Sequence, residues 1–187
     1  MAQETSNIKN ASDLLNFAAF QGLEIKAPVD IEEIIVALDI EIKHDILLEN
    51  DDVIGRIEFV NDKAVISINP QQNRYIPRRR FTLAHELGHY ILHSSHTKRS
   101  FTDSMKTMSR TESYWDSYES EANSFAAQLL MPKDLILAEG ELIVSAYNAE
   151  NKAETMPVTL FIEKMARKFE VSYKAMEYRL KNLSILK

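Results

Sequence analysis

The sequence predicts an α+β fold. A small antiparallel sheet of about three strands should pack with two helices that carry a functional site, and a pair of C-terminal helices should follow. Three observations carry this reading. Apolar residues recur at helical spacing between residues 11 and 38, alternate with polar ones between 40 and 68, and return to helical spacing through most of the rest. A hydrophobic content of 45% with 27% charged residues belongs to a globular protein, and 187 residues can bury a real core in one domain of ordinary size, or in a domain with a small appendage. There is no cysteine, so disulfides and thiolate metal sites are excluded; any metal must be held by histidine and carboxylate.

Residues 1–9 are polar and expected to fray. Ser12-Asp13 can cap a first helix with the apolar set Leu14, Leu15, Phe17, Ala18 and Phe20, ending at Gly22. The second helix is better marked. Asp30 is its N-cap, Glu33 stands three residues on, Val29 and Ile34 are placed as a hydrophobic staple, and Ile31, Ile34, Ile35 and Leu38 form the inner face. Ile40, Ile42 and Ile46 then alternate with Glu41, Lys43 and Asp45 as a half-buried strand. Residues 53–59 and 64–68 flank Asn61-Asp62, a hairpin turn. His44 lies in the first strand and is given no role.

Pro77 opens the next helix, with Arg78-Arg79-Arg80 in its first turn, where positive charge opposes the helix dipole; the triplet reads as a solvated face. Residues 94–113 are rich in Ser, Thr, Lys and Met without clear periodicity and read as a long loop of functional or mobile kind. A strong helix runs from Trp115 to Met131, ended by Pro132, with Ala122, Phe125, Ala126, Leu129 and Leu130 as its stripe. Residues 133–156 show a weaker pattern. From 157 the chain reads as two helices joined at Val171-Ser172, with Ser172 the N-cap of the second. This divides the chain into residues 1–156 and a helix-turn-helix-like pair, 157–187, whose charge is +4 against −10 for the remainder.

The chemistry is concentrated in Phe81-Thr-Leu-Ala-His85-Glu86-Leu-Gly-His89-Tyr90. The chain has five histidines, and three of them fall between 85 and 93. His85 and His89, one helical turn apart, share a face about 6 Å apart along the axis, so both can meet one tetrahedral zinc ion. Glu86 projects from the same turn beside the ion, as a general base. Two histidines leave such a site one ligand short. A three-histidine site of the metzincin kind would need Gly at 92 and His at 95, where this chain has Leu92 and Ser95. His93 lies about 12 Å along the axis from His85, too far to share the ion; a structural, supporting or substrate-facing role suits it. His96 lies just past the helix and is a weaker candidate.

The following helix offers Glu119 and Glu121. Glu119 shares a face with Ala122, Asn123 and Ala126, small or polar enough to approach another helix, whereas Glu121 shares one with Phe125. Glu119 is therefore the third ligand, and Asn123 can orient a ligand histidine. Zinc on His85, His89 and Glu119 would acidify a water, and Glu86 would take its proton and deliver it to a leaving amine. Tyr75, Tyr90, Tyr114, Tyr118 or His93 could stabilise the oxyanion. An edge strand of the hairpin could hold the extended peptide by strand addition.

With these residues named, the chain resembles the ImmA/IrrE family of zinc metallopeptidases, through Arg80-Phe-Thr-Leu-Ala-His85-Glu86-Leu-Gly-His89-Tyr-Ile-Leu-His93 and Glu119-Ser-Glu-Ala-Asn123-Ser-Phe-Ala-Ala-Gln-Leu-Leu-Met-Pro132. The resemblance implies a gluzincin-like endopeptidase that cleaves a helix-turn-helix repressor of a mobile element or stress response. Longer relatives carry a C-terminal sensory domain, which this chain is expected to lack. The N-terminus has no basic start or apolar leader, and no run approaches the ~18–20 apolar residues of a membrane span, so the expected location is the cytoplasm. The alternative is a DNA- or partner-binding regulator that works through residues 157–187, with the metal site structural. Against it, Tyr173, Lys174, Glu177 and Arg179 on the second helix lack the Arg, Asn and Gln richness of base readers.

Overall fold

Helix α1 (Ala11–Phe20) is capped by Asn10 rather than by Ser12-Asp13. The Asn10 side chain accepts from the Asp13 N–H (2.9 Å) while the Asp13 carboxylate accepts from the Lys9 N–H (3.0 Å). This reciprocal pair satisfies one N–H that the helix start leaves open and another just ahead of the cap. Leu14 and Ala18 are buried, but Phe20, about 240° around the helix from Leu14, is exposed. Ile8 is buried, so the segment expected to fray is anchored at that point. The structure is a computed structural model and describes residues 7–46, 48, 53–94, 101–104, 115–151 and 155–186.

Helix α2 (Ile31–Ala37) follows the sequence reading closely. Asp30 accepts from the Glu32 and Glu33 N–H groups (3.1 and 3.0 Å), and Val29, Ile31, Ile34, Ile35 and Leu38 are all buried. The strands that follow are β1 (Glu41–His44), β2 (Val53–Val60) and β3 (Lys63–Ile68). Asn61 and Asp62 both have positive φ (51° and 64°), the backbone that matches a two-residue hairpin to strand twist. His44 is exposed on β1, and Ile46, expected on the buried face, lies past the strand's end and is exposed.

The α+β class is as the sequence predicts, but the sheet is mixed rather than antiparallel, and both hairpin strands lie inside it, so neither offers the edge expected to hold a peptide. Among the described residues the sheet has four strands in the order β1-β3-β2-β4, where β4 (Phe101–Ser104) lies inside the stretch read as a long loop. β3 inserts between β1 and β2, so β1 pairs with β3 in parallel while β2 pairs antiparallel with β3 and β4. Alternation in sequence marks a strand and its buried face; it does not say which strand becomes the neighbour.

Helix α3 (Ile76–His89) packs on the sheet and continues into a π-helical turn, Tyr90–Ser94. The arginine triplet at its start is not a uniform solvated face. Arg80 is buried, donates to the Val29 carbonyl (2.8 Å) and lies 3.6 Å from Glu170; Arg79 pairs with Glu32; Arg78 alone is exposed. Then come α4 (Trp115–Leu130), α5 (Lys133–Glu150), α6 (Val158–Phe169) and α7 (Tyr173–Asn182). The weakly patterned stretch is thus an 18-residue helix, α5, with only Ile136 and Gly140 buried. The Ser172 hydroxyl caps α7 by accepting from the Ala175 N–H (3.1 Å). Met165, Phe169, Met176 and Leu180 of the last two helices join one buried cluster with Ile57 and Ile66 of the sheet and Leu83 and Leu87 of α3.

Candidate metal centre

Helices α3 and α4 can touch because both are nearly bare where they cross. A Cβ placed on Gly88 would lie 3.2 Å from the Ala122 Cα and from its carbonyl oxygen, closer than most side chains tolerate. The chain has four glycines, and this one is spent on helix approach. Glu119, one turn before Ala122, is thereby carried over the histidines. The Nε2 atoms of His85 and His89 are 3.0 Å apart, and Glu119 reaches both, Oε2 to His85 and Oε1 to His89, each at 3.2 Å. All three side chains are buried.

Such a set fits a small divalent ion. One ligand atom from each residue lies within 4.8 Å of the others. A tetrahedral ion with bonds of about 2.0–2.1 Å spans ligand atoms about 3.3 Å apart. Asn123 Oδ1 lies 3.1 Å from His85 Nδ1 and accepts a hydrogen bond from it, which turns the lone pair of Nε2 toward Glu119. A lone pair and a carboxylate oxygen repel each other unless a cation stands between them, a metal ion or, in its absence, a proton on the ring. Removing the acceptor with Asn123→Ala should weaken metal binding by roughly 10–100-fold while the fold stays intact, as measured by competition with a chelating dye.

Glu86 is held by a second glycine. A Cβ on Gly55 of β2 would lie 2.7 Å from Glu86 Oε1 and 2.6 Å from Thr82 Cγ2, so this strand position leaves room for a carboxylate and nothing larger. Two asparagines fix the strand there. Asn73 donates to the carbonyls of Ile54 (2.9 Å) and Asn69 (2.7 Å) and accepts from the Thr82 hydroxyl (2.8 Å), tying β2 to α3 one turn before Glu86. Asn69 donates to the Val53 carbonyl (2.9 Å). The result is a buried carboxylate beside three converging side chains that could hold a metal ion.

The family model Peptidase_M78, described as the IrrE N-terminal-like domain, matches residues 48–181. The chain belongs to this family. No curated protein sequence matches it. The matched span includes every residue of the centre just described, together with most of the C-terminal helix pair. IrrE-like family membership makes the chain a member of a metallopeptidase family, and the His-His-Glu cluster is where a metal ion could be held.

The remaining residues singled out in this IrrE-like chain are placed as follows. His93 stands on the π-helical turn, its ring 5.5 Å from that of His89, after a 4.7 Å step from His85 to His89. An α-helix drifts about 40° every four residues, and the wider turn offsets this drift so that three histidines stay in one row. His93 Nε2 lies 3.3 Å from the Tyr118 carbonyl, its ring packs on Tyr118 at 4.5 Å, and Glu121 is 3.8 Å away. Tyr90 is turned to the sheet, with its ring 6.2 Å from that of Phe59, and burial raises its pKa. Tyr75 is the N-cap residue of α3, exposed and about 15 Å along the axis from His85. His96 and Tyr114 lie outside the described residues. Gly55, Asn69, Asn73 and Thr82 escaped the sequence reading, although a glycine inside a strand is a known sign of close approach.

Titration of the metal-free IrrE-like centre has a definite sign. Burial opposes ionisation of Glu119, but hydrogen bonds from His85 and His89 outweigh it and hold the carboxyl down to about 2. Burial pushes His89 and His93 below 6.5. Both kinds of shift mean that the unfolded chain binds protons before the folded one, so stability falls as the pH falls. It should be full above pH 6.5, decline as the pH drops from there through the histidines' folded values, and decline again between 4.5 and about 2 as Glu119 protonates. Urea midpoints of chelator-treated protein across this range would show the two-stage loss; a flat profile contradicts it.

Proposed function

We propose that this chain is a zinc-dependent, site-specific endopeptidase of the cytoplasm whose substrate is a helix-turn-helix transcriptional repressor. The observation that carries the peptidase reading is the buried Glu86 carboxylate, seated against Gly55 on the same helical turn as the His85–His89–Glu119 cluster. Two imidazoles and a carboxylate suit zinc, and a bound zinc ion supplies Lewis-acid chemistry, acidifying a water and polarising a carbonyl. The residues of the chain do the rest. Glu86 accepts the proton of the attacking water at a carboxylate oxygen and passes it to the leaving amine. Asn123 keeps the His85 ring in the tautomer that binds.

The repressor as substrate is supported by the family resemblance. The nucleic-acid alternative finds its side chains engaged: Arg179 donates to the Met131 carbonyl (3.0 Å), and Lys174 and Lys181 both pair with Glu177. The test uses a small helix-turn-helix protein encoded beside this chain's gene. Purified chain should carry about one zinc, cut that repressor at one bond, and stop when a zinc chelator is added. A repressor left whole by the zinc-loaded protein removes this substrate from the reading.

A further inference from the structure

Beside the metal centre lies a cavity of about 250 Å³ that the catalytic residues do not line. Its floor is α3, through Arg78, Phe81 and Thr82. These positions continue along the same helix face into His85 and Glu86, one turn on. The continuity is physical as well as sequential. Phe81 stacks on the His85 ring with centroids 6.3 Å apart, and Thr82 packs into the notch at Gly55 where Glu86 also sits. Ile54, the residue before Gly55, forms one wall. Val171, Ser172 and Ala175 of the C-terminal pair form the opposite wall.

The lining is apolar inside and cationic at the mouth. Of the arginine triplet, Arg79 and Arg80 are consumed by Glu32, Val29 and Glu170, whereas Arg78 is exposed at the cavity and makes no ion pair among the described residues. Two helix starts meet at the same opening: α3 begins at Ile76, where Tyr75 offers no side-chain cap, and α7 begins at Tyr173. Their partial positive charges add to that of Arg78. On a chain of net charge −6, this is a locally positive spot beside an apolar hole.

We infer that this cavity is a specificity pocket of the peptidase, seating a large apolar side chain next to the scissile bond, with an Asp or Glu of the substrate beside it paired to Arg78. The inference rests on the peptidase reading for the words "scissile bond", but its binding chemistry stands apart from cleavage. It also gives the C-terminal helices a part in recognition, since they supply one wall of the substrate site.

The test measures binding before it measures cutting. Four fluorescent octapeptides, identical except for a central Leu-Glu, Ala-Glu, Leu-Lys or Ala-Lys, are titrated into zinc-loaded protein carrying Glu86→Gln, which leaves the pocket lining untouched. The Leu-Glu peptide should bind roughly tenfold or more tighter than either the Ala-Glu or the Leu-Lys peptide. Adding Ala175→Phe, which fills the cavity, should erase the Leu preference. Arg78→Glu, a surface change that cannot disturb the core, should reverse the Glu-over-Lys preference. Equal binding of the four peptides, no binding at all, or a preference that Arg78→Glu leaves unchanged overturns the pocket. Cleavage by the native protein separates the two readings: peptides bound with this preference but never cut sink the peptidase and leave the pocket, whereas peptides cut without preference sink the pocket alone.

Discussion

Replacing Glu86 with Gln should lower repressor cleavage by about 10²–10⁴-fold, the usual worth of a positioned general base, while zinc content stays at one ion per chain. The two halves of this result answer different questions. Gln has the shape of Glu and fits the same notch at Gly55, so the carboxamide should remain where the carboxylate was and the fold should not change. What is lost is the ability to accept a proton. Glu86 stands outside the His85–His89–Glu119 ligand set, so metal binding has no reason to weaken. Metal analysis and single-turnover cleavage on the same preparation would read both. Undiminished cleavage would remove Glu86 from the chemistry, and loss of the ion would make it a ligand instead.

Gly88→Leu should be the most damaging single change away from the ligands themselves. Even the first carbon of the new side chain meets the Ala122 Cα and carbonyl at 3.2 Å, and helix backbone cannot step aside as a flexible side chain could. Helices α3 and α4 must separate, at a cost of about 1–3 kcal/mol for overpacking. Glu119 travels with α4, so metal affinity should fall by more than the roughly 10–100-fold expected for an orienting partner. Gly140→Ala makes the informative contrast. There the added carbon would sit 3.4 Å from the Phe161 ring, an ordinary contact, and alanine favours the interior of α5 by about 0.5–1 kcal/mol. Thermal unfolding should therefore show one glycine substitution destabilising and the other stabilising. Equal effects would mean that the crossing at Gly88 is looser than described.

Much of this was legible in the chain, and the exceptions share a cause. Asp30, the Asn61-Asp62 hairpin and Ser172 are local signals, each acting within four residues, and each stands as expected. The convergence of His85, His89 and Glu119 was also legible, because helical geometry relates 85 to 89 and the small residues around Glu119 mark the face that meets α3. What failed was whatever depended on a distant partner. Arg80 looks like a surface cation until the Val29 carbonyl, 51 residues away, is beside it. β1 runs parallel to β3 only because the hairpin folds back between β1 and β2, and β4 acquires strand structure by lying against β2. Periodicity cannot carry that information.

The ligand set has one more consequence. His89 and Glu119 are thirty residues apart, so an ion that joins them also staples the chain into a closed loop. In the unfolded chain a clasp of that span removes conformational freedom worth about 3–4 kcal/mol if it behaves like a covalent cross-link. Loading the centre would then add to the stability that the fold already has without the ion. Chelator-treated protein should therefore melt below zinc-loaded protein, by a margin that grows with the zinc concentration.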